Sequence, residues 1–193
     1  MLFEAQNFED QKFKKAVCPG EDLSHKEFTK CVFEKCDFSG CKFSGTLFVE
    51  CVFLNCNLTN IKIDDSGFRG VKFDNCKLLG VVFAEINTFI VDLAFNKCSI
   101  ELCDFNRLSA KKSKFIECAI IETDFVDTNL SGSDFSGSDL RASKFLNTNF
   151  EKVDFRGAKN YYIDPTHNKL KGAVFSFPEV LGVLEVFGIK TEY

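Results

Sequence analysis

Ten cysteines, two histidines and 28 acidic side chains are the groups in this 193-residue chain that could do chemistry. Cysteines hold zinc or join in disulfides only at suitable spacings. Nine of them, Cys31, Cys36, Cys41, Cys51, Cys56, Cys76, Cys98, Cys103 and Cys118, stand two places before a large apolar residue, and none forms a CxxC pair. A small, buried, apolar role explains that placement better than a metal site does. Cys36, Cys56 and Cys76 are twenty residues apart. In a stacked structure their Cα atoms would lie about 4.8 Å apart, which a disulfide tolerates. A reducing compartment keeps such groups as thiols, and free thiols are the expectation. His25 and His167 are the histidines available as general bases, and neither lies in a nucleophile motif. Gly132 and Gly137 do not form a phosphate loop; they stand five apart and read as corner residues. The sequence therefore predicts no enzyme, no cofactor and no metal.

The element that must position these groups is most regular from Thr123 to Phe155, read as TDFVD, TNLSG, SDFSG, SDLRA, SKFLN, TNFEK, VDF. Large residues stand at Phe125, Leu130, Phe135, Leu140, Phe145, Phe150 and Phe155, with small ones two places earlier. A period of five fits neither a helix near 3.6 nor a strand of 2, so the chain must turn at every repeat. Four such sides make a square coil of about twenty residues, and stacked coils bury the large and small positions inside a solenoid. Twenty-four Phe, three Tyr and no Trp accord with one inward position that repeatedly demands the same shape.

Phe3, Phe8 and Phe13 already lie in register, which leaves no room for a cleaved leader, and no apolar run reaches the roughly 20 residues of a membrane span. A cytoplasmic chain is expected. Gln6, Gln11, Glu21 and Lys26 occupy early small positions, so the first coil should fray or act as a cap. The register runs unbroken through residues 1–83, slips by two within 84–89, and resumes through 90–175 from Ile90. Ser176 and Glu179 have capping-box spacing, with Phe175 and Val180 placed for a staple. A helix is expected over 176–188, ended by Gly188. Phe177, Val180, Leu181, Leu184 and Phe187 fall at helical spacing. There are too many for one covering face: Val180, Val183, Leu184 and Phe187 could cover the last coil while Phe177 and Leu181 meet a second copy, or the reverse. The whole predicts an all-β, right-handed quadrilateral β-helix with a short C-terminal α-helix that forms a homodimer.

The net charge of −4 argues against direct nucleic-acid binding. From Glu117 to Asp139 six acidic residues occur with no Lys or Arg. The coil dilutes this run, because Lys97 should stack on Glu117, Arg107 on Asp127, Lys114 on Asp134, Lys144 on Asp124 and Lys159 on Asp139. Asp10 should stack on Lys30 in the same way. Glu122 alone lacks a basic neighbour twenty residues away, and Asp124 stacks beside Asp104. Glu122, Asp124 and Asp104 are therefore the candidate partner-binding residues.

The repeat resembles the pentapeptide-repeat proteins, and the tail NKLKGAVFSFPEVLGVLEVFGI resembles those of the Qnr-type quinolone-resistance proteins and their bacterial relatives. That resemblance implies a non-catalytic rod paired through its terminal helix. It also implies binding to a bacterial type II topoisomerase, DNA gyrase or topoisomerase IV, as a mimic of duplex DNA. An adaptor solenoid with another partner is the alternative.

Overall fold

The fold is described for residues 3–189 by a computed structural model. Each pentapeptide forms one wall of a square coil because its fifth residue turns the corner in the left-handed region. Gly132 and Gly137 do so at φ of 72° and 71°, and so do non-glycine residues such as Glu122 and Asp127 at 50° and 57°. Glycine adopts this conformation without a Cβ penalty; the others are held there by the hydrogen bonds of the coils above and below.

Stacking is parallel and in register at twenty residues. Strand β1 (Asn7–Glu9) pairs with β3 (Glu27–Thr29), and β3 with β5 (Leu47–Val49). On the next wall β2 (Lys12–Lys14) pairs with β4 (Val32–Glu34), and β4 with β6 (Val52–Leu54). The result is a right-handed quadrilateral β-helix of about eight turns. We number its walls by the large residues beneath them: the first over Phe43, Phe105 and Phe125, the second over Phe28, Phe48 and Leu130, the third over Phe33, Phe53 and Phe115, the fourth over Phe38, Leu58 and Ile120.

Phenylalanines fill the interior as stacks along the axis that meet edge to face across it. Phe105 lies 4.4 Å from Phe83 and 4.9 Å from Phe125 in parallel stacks, while Phe105 and Phe115 meet at 81° and 5.8 Å. Both arrangements suit the ring quadrupole. Small inward residues complete the layer and share one hydrogen bond. Cys51 Sγ donates to Phe28 O at 3.2 Å, Ser66 Oγ to Phe43 O at 2.6 Å and Thr148 Oγ1 to Phe125 O at 2.6 Å, each 23 residues back. Cys, Ser and Thr are interchangeable here because each offers a short donor to the same carbonyl. The first coil does not fray: Phe3, Phe8 and Phe13 are buried, and Phe3 packs 4.8 Å from Phe13 to close that end.

The slip in the count has a defined location. Asn87 N donates to Ser66 O, twenty-one residues back, so Ile86 still lies above Ser66 and is buried. In strands β7 (Gly67–Asp74) and β8 (Val91–Asn96), Val71 pairs with Leu93 and Phe73 with Phe95, so the offset has become twenty-two. The two surplus residues must leave the wall between these points. Phe89 is 81% exposed, and Ile90, expected inside, is 47% exposed while Val91 pairs with Phe68 in its place.

At the other end the helix spans Glu179–Phe187 as a 3-10 helix rather than an α-helix, and the capping box is not formed. Ser176 Oγ instead accepts the Gly157 amide at 2.9 Å, so it serves the preceding coil and cannot cap. Phe175 stacks on Phe155 at 4.9 Å, inside the solenoid and away from a staple. Gly188 does end the helix, in the left-handed conformation. Among the described residues no helix is long and apolar enough to cross a membrane.

Candidate functional site

The three acidic residues singled out from the sequence come together. Asp104, Asp124 and Lys144 are successive rungs of one column on the first wall, bridged in parallel. Glu122 stands at the adjoining corner, exposed, between Leu102 and Ala142. With Cys103 these residues line a shallow bay of about 460 Å³.

Asp124 differs from the equivalent residues of other repeats. Asp37, Asp104, Asn129, Asp134 and Asn149 each accept the backbone N–H two residues on, fixing their own turn. That is the usual local use of Asx side chains. In the repeat of Asp124 the corresponding amide, Val126 N, donates to Asn106 Oδ1 at 2.6 Å from the coil below. Asp124 is thereby released from turn duty. Its Oδ1 is shielded from solvent and makes no well-directed hydrogen bond, and Lys144 Nζ lies 3.2 Å away as an ionic partner.

The first wall continues this charge toward the N-terminus. Ala84 N bonds to Asp104 O and Asp65 N to Glu85 O, so Asp64, Asp65 and Glu85 stand on the two coils below, beside the column of Asp104 and toward the corner that Asp127 occupies. Lys62, two residues before Asp64 on the same wall, and Arg107 are the cations within this strip, and Lys144 closes it. Asp64, Asp65 and Glu85 escaped the sequence reading because the slip in the count hides their alignment; an offset of twenty-two rather than twenty recovers it.

Elsewhere the expected ion pairs form in part. Lys97 meets Glu117 at 3.7 Å, as stacking predicts. Asp127 accepts from Asn147 instead of pairing with Arg107, Asp134 caps its own turn instead of meeting Lys114, and Asp139 takes Arg141 at 2.8 Å instead of Lys159. Among the ion pairs of the described residues Asp10 and Lys30 do not meet. A neighbour two residues along the same wall competes equally with one a coil away, and exposed pairs worth about 0–1 kcal/mol do not choose reliably between them.

The ten cysteines are free and buried. Burial pushes the Cys51 thiol up to about 12 and that of Cys103 up to about 11, so neither is poised as a nucleophile. Among the described residues no cluster of His, Cys, Asp and Glu could hold a metal. His167 Nδ1 sits 2.8 Å from Asp164 Oδ2 and 3.0 Å from Thr166 Oγ1. Both partners share one ring nitrogen, so the histidine cannot relay a proton from Thr166 to Asp164 as a triad would.

The helix residues named as a dimer surface divide by exposure. Val183 is buried against the last coil, Val180, Leu181 and Leu184 are half-buried, and Phe177 and Phe187 are 72% and 55% exposed. Phe187 therefore does not cover the coil, in contrast to one of the two expected arrangements.

A parallel square coil with this repeat defines a class, and the comparison of sequences agrees with it. The pentapeptide repeat region model matches residues 26–105 and 89–164, more than half the chain, which belongs to that family. Among solved structures it is similar to two trypsin-treated forms of QnrB1, a plasmid-mediated fluoroquinolone resistance protein. One gives a TM-score of 0.73 at 22% identity over 98% of this chain and 92% of that one. The other gives 0.71 at 22% identity over 96% and 90%. Full-length QnrB1 gives 0.54 at 18% identity over 95% and 100%. At such identity the likeness shows the fold. No curated protein sequence matches the chain.

Proposed function

We propose that this chain is a non-catalytic binding rod whose first wall engages a bacterial type II topoisomerase, DNA gyrase or topoisomerase IV, as a mimic of duplex DNA, and shields the enzyme from quinolones. The observation that carries this reading is the acidic strip from Asp64 to Asp127, centred on the bay of Glu122, Asp124 and Asp104. A rigid rod with negative charge at each coil, about 4.8 Å apart, offers a basic DNA-binding surface a regular series of anions. The likeness to QnrB1 structures supports the same reading through the fold. We further propose a homodimer through Phe177 and Phe187, which doubles the strip about a central axis.

The competing reading is an adaptor solenoid with another partner, and it draws on the basic residues Lys62, Arg107 and Lys144 that interrupt the strip. A supercoiling assay with purified gyrase, with and without quinolone, over a range of protein concentrations separates the two. Rescue or inhibition of supercoiling is expected. No effect at any concentration, together with no binding at low salt, leaves the adaptor reading standing.

A further inference from the structure

The net charge of −4 conceals a wall of opposite sign. On the second wall, between Ser109 and Gly172, five exposed lysines stand at two levels: Lys111 and Lys112 on one coil, and Lys152, Lys169 and Lys171 two to three coils further along. Their alignment is fixed by the ladder, since Lys112 N bonds to Ser131 O, Gly132 N to Glu151 O and Lys152 N to Lys171 O. None of the five makes an ion pair within the described residues, whereas Lys12 and Lys14 near the N-terminus both share Glu34. Glu151 is the acidic residue among them.

The ground between the two levels is flat and neutral. Asn129 and Asn149 form the bridged column, and Ser131 and Gly132 lie beside them. A Cβ on Gly132 would touch Lys112 Cγ at 3.5 Å, and one on Gly172 would touch Lys152 Cγ at 3.4 Å, so both lysine stems lean along the axis over a glycine. The outermost lysines, Lys111 and Lys171, are three coil steps apart, about 14 Å.

We propose that this wall binds the phosphate backbone of duplex nucleic acid. Its chemistry selects that partner by what it contains. Unpaired lysines are point charges suited to phosphate contact without base reading. Between Ser109 and Gly172 no large apolar side chain is exposed on this wall, the exposed Phe89 and Ile90 lying one coil below, so the lysine patch lacks both the aromatic platform that single strands stack on and the apolar centre of a protein interface. The local excess of three positive charges, five lysines against Glu151 and against Asp92 one coil below Lys112, departs from the expectation set by net charge. The field a partner meets is that within a Debye length, about 10 Å at moderate salt. The inference is independent of the proposed topoisomerase binding, which uses the first wall.

Fluorescence anisotropy of a labelled 30-base-pair duplex with the full chain tests it. Binding is expected at 50 mM salt and to fall by about 10²-fold at 200 mM, as displacing about four counterions requires. The double variant Lys111→Glu, Lys171→Glu should bind at least ~10-fold more weakly at 50 mM with an unchanged melting temperature, and Lys35→Glu, Lys72→Glu, on the third wall, should bind as the parent does. No binding at 50 mM overturns the proposal. So does equal loss in both variants, or tighter binding of polyglutamate than of the duplex.

Discussion

Asn106 Oδ1 accepts the Val126 amide at 2.6 Å across one coil of the solenoid. That single bond displaces Asp124 from the turn it would otherwise fix and leaves its carboxylate facing Lys144 at 3.2 Å and the open bay. The acidic strip is thus built partly from charge and partly from a diverted turn bond.

Replacing Glu122 and Asp124 with Lys should weaken gyrase binding at least tenfold while the melting temperature moves little, because exposed charges contribute about 0–1 kcal/mol each. Binding by titration calorimetry and unfolding by calorimetry check the two halves. Unaltered binding removes this wall from consideration. Asn106→Ala tests the diverted bond: Asp124 should return to its own turn and binding should fall with both acidic residues still present.

The thiols should behave as structural donors. Cys51→Ser is expected to change stability by no more than about 1 kcal/mol, since a hydroxyl finds the same carbonyl that Ser66 and Thr148 use. Cys51→Asp should prevent folding, because it buries a carboxylate with no cation beside it. Urea unfolding measures the first and expression with circular dichroism the second. Thiol titration under denaturing, non-reducing conditions should count ten; six or fewer in fresh protein would refute free thiols.

Asp164 gives a pH signature. Hydrogen bonds from the Thr166 side chain, from His167 and from the Thr166 amide hold its pKa down to about 2, from the usual 3.8. A depressed folded value means that its contribution is present above pH 3.8 and is lost as pH falls through about 2. Carboxyl NMR titration should place it there, and Asp164→Asn should leave acid unfolding less steep in that window.

The exposed rings of the terminal helix should hold two copies together. Phe177→Asp with Phe187→Asp is expected to sediment as a folded monomer, since both side chains lie outside the buried layer and Val183 still closes the coil. A parent protein that sediments as a monomer at micromolar concentration would remove the dimer from the proposal.

The sequence by itself determined the square coil, the stacking at twenty residues, the inward places of Phe125 and Cys51 and the stop at Gly188. Each coil solves the same steric problem, so the solution recurs at a period that can be counted. The grouping of Glu122, Asp124 and Asp104 was legible for the same reason. What only the tertiary structure decided are contests between groups of similar energy. Asp139 takes Arg141 over Lys159, Ser176 serves Gly157 instead of capping, Val91 takes the wall while Ile90 is turned out, and Asn106 frees Asp124. Each choice turns on roughly 1 kcal/mol and on atoms a full coil away, and a pattern of residue types does not carry such differences.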